Sequence, residues 1–222
     1  MSIPVQKAFL DYYGNTNNSL AFSSVCGTGN SILVIGMNCY SGTGYMTIAD
    51  NELNSYTLID SFQYGGGITN SIQVWLATNI AVGTQTITLD GPGGINFMAI
   101  GMWELPGIWA KDVQSIGIPA GSSPSYTLGA ITTNYADFCV ECMGANAGNT
   151  ISTASPWTQE TMTGGRTDAF CFGEYLQSSP GSITANFTVT SPSYPQAYVG
   201  GFYQLSSSGI PGALSMMGCG AS

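Results

Sequence analysis

The chain has 222 residues, with 12 acidic and 3 basic side chains, no histidine and a net charge of −9. That balance excludes nucleic acid, whose phosphates need clustered Lys and Arg, and disfavours an anionic membrane, because Lys7, Lys111 and Arg166 lie far apart in sequence. Without histidine, neither a Ser–His–Asp nor a Cys–His nucleophile can form within the chain.

Helix formers are scarce, and Gly or Pro interrupts nearly every window of helical length. Strand signals recur instead, as β-branched and aromatic runs set off by Gly, Asn, Ser and Pro clusters. In chain order, strands are expected at 19–24, 31–40, 45–49, 56–64, 71–77, 84–89, 96–105 and 113–118. They continue at 125–131, 137–145, 158–163, 169–176, 182–190 and 197–205, and a short helix is expected at 108–114. In Thr86-Ile87-Thr88-Leu89 the apolar residues fall on one face, and Ile183, Ala185, Phe187 and Val189 repeat the pattern. Residues 32–37 are apolar on both faces, which fits a central strand or one covered by a loop or a neighbouring subunit. The most apolar region, 97–110, is interrupted by Glu104 and Pro106 and falls short of the roughly 20 residues a membrane helix needs. The first residues lack a charged segment followed by an apolar run, so the expectation is a chain made in the cytoplasm without a signal peptide.

A weak internal echo runs at an offset of about one hundred residues. Ser19–Phe22 precedes the 31–36 run as Ser125–Leu128 precedes 137–141; likewise 87–89 leads to 100–105 as 183–185 leads to 199–205. Two readings fit: duplication of a jelly-roll-like half, or convergence of any two β-rich halves on similar composition. The fold expected is all-β, an antiparallel two-sheet sandwich, jelly-roll-like, spanning 1–205 with pseudo-repeated halves 1–107 and 112–205. Residues 206–222 are a Gly/Ser-rich stretch carrying Ile210, Leu214, Met216 and Met217, read either as a frayed tail or as an arm onto a partner.

The chemistry-bearing residues give no strong signal. Cys139 and Cys142 stand three apart on an expected strand, so their thiols face opposite sides and do not bridge each other. With no histidine, a zinc site would need the fold to gather Cys26, Cys39, Cys171 or Cys219; buried free thiols are the simpler expectation, with disulfides within or between chains as the alternative. Asp50 and Glu52 sit in an apparent turn, where local backbone hydrogen bonding is expected ahead of calcium binding or catalysis. Glu104, Glu141 and Glu174 lie among strand residues, each either outward-facing or buried with a partner. Tyr40, Tyr45, Trp109 and Trp157 are candidates for stacking on sugars, against a sandwich core that needs many aromatics. Gly65–Gly67 and the 91–94 run are loop elements that open no helix, so neither is a phosphate cradle.

The runs at 19–22, 31–36, 50–58, 72–77, 82–89 and 98–107 together resemble β-sandwich domains found in phage virion proteins and in some bacterial secreted or surface proteins. Leu53 departs from that pattern, standing where a glycine usually precedes the asparagine. The resemblance carries over no catalytic residue, cofactor or metal ligand. It implies a non-enzymatic virion structural protein, a capsid decoration or cement subunit. Its partners would be the major capsid protein or other virion subunits, and further copies of itself as a homo-oligomer. The alternative is a tail-associated adhesin or carbohydrate-binding module that takes a glycan.

Overall fold

The computed structural model describes residues 4–13, 17–41, 45–64, 69–91, 97–122, 124–146, 150–164, 170–189 and 193–205. The stretches 65–68, 92–96 and 206–222, with Cys219, lie outside them, as do the side chains of Cys39 and Tyr40. The first eight strands are β1 (Gln6–Tyr13), β2 (Asn17–Ala21), β3 (Ser31–Ser41), β4 (Thr47–Asp50), β5 (Thr57–Tyr64), β6 (Thr69–Thr78), β7 (Thr86–Asp90) and β8 (Phe97–Leu105). Next come β9 (Trp109–Gly117), β10 (Ala120–Ser122), β11 (Ser125–Thr133), β12 (Asp137–Asn146), β13 (Ser152–Thr153) and β14 (Thr158–Gln159). The last are β15 (Thr163–Gly164), β16 (Phe170–Gln177), β17 (Gly181–Thr188) and β18 (Ser193–Gln204). No helix occurs among the described residues.

The strands form four sheets, ordered β15-β1-β8-β3-β6-β5, β2-β7-β4, β14-β16-β12-β18-β9 and β10-β11-β17-β13. Strands β1–β8 therefore run 1-8-3-6-5 in one sheet and 2-7-4 in the other. That is a jelly-roll order, with the fifth strand added to the edge of the larger sheet. Replacing β1 by β9, β2 by β11, β3 by β12, β4 by β13, β5 by β14, β6 by β16, β7 by β17 and β8 by β18 reproduces both orders. The strand pairs that carry the sequence echo occupy equivalent places. Each half is thus an antiparallel two-sheet sandwich, and the chain holds two of them.

Three apolar layers result. Ile32, Val34, Trp75, Ile87, Leu89 and Ile100 fill the first half's own core. Cys139, Met143, Ile183, Phe187 and Val199 fill the second half's. Between them the two larger sheets pack face to face, with Leu33, Ile35, Val74 and Trp103 on one side and Phe138, Val140, Phe172 and Phe202 on the other. Residues 32–37 are apolar on both faces because β3 lies between two cores. Gly101 marks a close approach: a Cβ there would stand 2.9 Å from Phe172 Cε1.

Three local expectations change. Residues 108–114 extend into strand β9 rather than a helix, because Val113 packs into the second half's core while Trp109 and Ile116 face the central one. Strand β1 carries little strand signal, since Lys7 and Asp11 interrupt its apolar pattern. The 158–163 run is not one strand: 158–159 pairs with β16, and β15 crosses to pair in parallel with β1, Leu10 opposite Thr163.

Candidate functional site

Most sequence candidates prove to be internal. Asp50 Oδ1 accepts the backbone N–H groups of Glu52 and Asn54 at 3.1 and 3.0 Å, and Oδ2 accepts Asn54 Nδ2 and the Tyr56 hydroxyl, both at 2.8 Å. This saturates the carboxylate with local donors, which is turn chemistry. Glu104 is buried and accepts from Gln6 Nε2, the Gly27 N–H and Asn30 Nδ2 at 2.6–2.7 Å. Trp109 and Trp157 are only 1% and 6% exposed, and their indole N–H groups donate to Pro106 O and Thr184 O. Neither ring can stack on a sugar; Tyr45 stays exposed. Cys26, Cys139, Cys142 and Cys171 are buried free thiols. Cys139 faces the outer core and Cys142 the central one, as strand alternation dictates. Burial pushes the Cys26 thiol up to about 12, where it is no nucleophile at neutral pH.

Two ionic clasps join the halves. Lys7 on β1 donates to Glu160 Oε1 at 2.7 Å and Glu174 Oε1 at 2.8 Å, while Trp103 Nε1 donates to Glu174 Oε2 at 2.9 Å. Burial raises the Glu160 carboxyl, opposed by its bond from Lys7. Lys111 on β9 donates to Asp60 Oδ1 at 2.7 Å and to Ile59 O at 3.2 Å, and Tyr198 donates its hydroxyl to Asp60 Oδ2 at 3.1 Å. The clasps sit at equivalent places: a lysine on β1 or β9, an aromatic donor on β8 or β18, an acid on or just after β5 or β14. Glu160 lines a shallow cleft with Lys7, and Glu174 meets the same ammonium group, so the two acids resemble a catalytic carboxylate pair when seen alone. The matching clasp in the other half assigns them to holding the sandwiches together.

The feature turned outward is one end of the first half. Leu53, Val25, Val82 and Val5 are 88%, 61%, 60% and 57% exposed. Hydrogen bonds bring their segments together. Cys26 N–H donates to Gly83 O at 2.8 Å, Asn51 Nδ2 to Thr84 O at 3.1 Å, and Ala81 N–H to Asn54 Oδ1 at 2.9 Å. Gln6 exchanges two bonds with Ser24, both 3.1 Å, which adds Val5 to the group. Leu53 holds a φ of 59°, a left-handed conformation unfavourable for leucine by about 1–2 kcal/mol. The saturated Asp50 turn imposes it. Leu53 thus holds a backbone conformation that glycine adopts more readily, while projecting an isobutyl group into solvent. Sequence reading singled out Leu53 as a departure from the family pattern but missed the cluster, because its members come from four separate segments.

No known protein family, no curated protein and no solved structure matches the chain.

Proposed function

We propose that this protein is a non-enzymatic structural subunit of a virus particle, a capsid decoration or cement protein. It would dock on neighbouring virion subunits through the Val5–Val25–Leu53–Val82 end. The observation that carries this reading is Leu53. A strained backbone is retained, and the side chain it presents makes no contribution to the protein's own core. Grouped exposed aliphatics held on a hydrogen-bonded scaffold suit a preformed contact surface. Two sandwiches clasped by partly exposed ion pairs give that surface a firm base, and binding stabilises a shell by mass action.

Copy number tests the reading. Quantitative mass spectrometry of particles purified from the source should give a simple ratio to the major capsid protein; absence from the particles refutes it. Leu53→Gly separates docking from folding. It relieves the strain, so thermal stability should hold or rise by about 1 kcal/mol, while particle binding falls. Unchanged binding would rule out this end as the contact.

One observation favours an adhesin as the second reading. Tyr135 and Tyr203 stack with ring centroids 4.1 Å apart and 15° between planes, and Tyr135 is exposed. Glycan binding lost in Tyr135→Ala but kept in Leu53→Gly would support it.

A further inference from the structure

Beside that tyrosine pair lie two carboxyl groups, neither of them ion-paired to a lysine or arginine among the described residues. Asp112 occupies the bulge where β9 carries an extra residue opposite Gly201 and Phe202 of β18. Its carboxylate accepts the Asn134 backbone N–H at 2.5 Å and Asn134 Nδ2 at 2.8 Å. Asp137, the first residue of β12, is fully buried, and neither of its oxygens receives a hydrogen bond from a donor group. Its space comes from Gly201, where any Cβ would collide with Asp137 Oδ2. Asp112, in the bulge that faces Gly201, is the charged neighbour that acts on Asp137 among the described residues.

We propose that Asp137 keeps a proton that it donates to the Asp112 carboxylate, and that this proton operates a pH-sensitive latch on the 134–136 turn and so on the Tyr135–Tyr203 surface.

Each surrounding element agrees. From β9, Lys111 is committed to Asp60. From β16, Gln177 pairs with Asp137 across the sheet, and its Oε1 lies 3.8 Å from Cys139 Sγ. Cys139 itself is a thiol pushed far up by burial and then by both aspartates. From β11, Thr133 bonds Gly181. From β18, Gly201 offers only backbone and Tyr203 only its stacked ring. Asp112 already accepts two donors, so the proton belongs on Asp137, which then donates to Asp112. Burial first, and then the Asp112 charge and hydrogen bond, push the Asp137 carboxyl up to about 7. Loss of the proton leaves two adjacent negative charges at the root of a turn fixed by the same Asp112. Below that point Asn134 is held and Tyr135 is placed on Tyr203; above it the turn is pushed outward. Among the described residues of the first half the buried acid near the matching loops, Glu104, is instead satisfied by three donors.

The test follows the Asn134 backbone amide by NMR, because its N–H points at Asp112. Between pH 5 and 8.5 the wild-type amide should titrate in one step near pH 7. Its hydrogen exchange, corrected for pH, should quicken at least several-fold above the step. Asp137→Asn, whose amide donates permanently to Asp112, should abolish both changes. Absence of the step in the wild type, or its persistence in Asp137→Asn, overturns the proposal. Both wild-type readings stand without the variant should it fail to fold. Millimolar calcium restoring slow exchange at pH 8.5 also overturns it, by assigning the pair to a divalent cation instead of a proton.

Discussion

At two equivalent positions the halves solve one packing problem in opposite ways. On β3, Gly36 stands opposite Gln73 of β6, whose amide accepts the Met46 N–H at 2.6 Å and donates to Met46 O at 3.2 Å. On β12 the large and small residues are exchanged: Glu141 stands opposite Gly173 of β16. Glu141 is fully buried, its oxygens lack partners, and burial pushes its carboxyl up to about 9. The folded protein therefore holds a proton that the unfolded chain, with a glutamate of about 4.3, releases. Stability should fall as pH rises from about 4 to about 9, by at most about 1.4 kcal/mol per pH unit from this group, and level off beyond. Asp137 adds a like decline that ends near pH 7. Glu141→Gln mimics the neutral acid, so urea titrations should find it more stable than the wild type at pH 8, with the gap closing near pH 4. A gap independent of pH would show that Glu141 is ionised in the fold. Sequence placed Glu141 on a strand but not its state, because that depends on Gly173, 32 positions away. The alternation of Cys139 and Cys142 and the turn bonding of Asp50, both local properties, were readable residue by residue.

At the scale of elements, what was legible follows the period of two. Strands β7 and β17 alternate cleanly because each has one solvent face, and β3 reads as apolar throughout because it has none. Strand β1 was hidden because Lys7 on it points into the contact between halves and meets acids 153 and 167 positions later. Sequence gives such a residue the look of a solvated charge. Lys111 makes the matching tie, and its partner Asp60 is almost fully buried. Lys111→Met should therefore strand a carboxylate with only the Tyr198 hydroxyl, at a loss of about 2–4 kcal/mol. Lys7→Met should lose less, since Lys7 is the more exposed of the two. Denaturant midpoints of both variants check the ranking, and equal losses would contradict it.

For the whole molecule, the central layer decides cooperativity. Neither larger sheet has a solvent face of its own. Opening one half would expose Leu33, Ile35 and Trp103 or Phe138, Phe172 and Phe202 to water. Calorimetry should find one transition, with calorimetric and van't Hoff enthalpies equal; two separated transitions would mean that each sandwich stands alone. Trypsin should leave native Lys7 and Lys111 uncut, since both lie within paired strands with their side chains engaged. Prompt cleavage at Lys111 would show that the contact between halves opens readily.

Strand β15 has a consequence for the order of events on the ribosome. The outer edge of β1 is completed by residues 163 and 164, and its lysine by residues 160 and 174. At about 5–20 residues per second, those partners emerge roughly 8–30 s after β1 itself. Throughout that interval a nascent first half presents an open strand edge, an unpaired lysine and a naked apolar sheet. Neighbouring ribosomes on one message would carry the same unfinished surface. The two-fold likeness of the halves makes another nascent first half a plausible wrong partner, so faithful assembly depends on the second half arriving before that neighbour does.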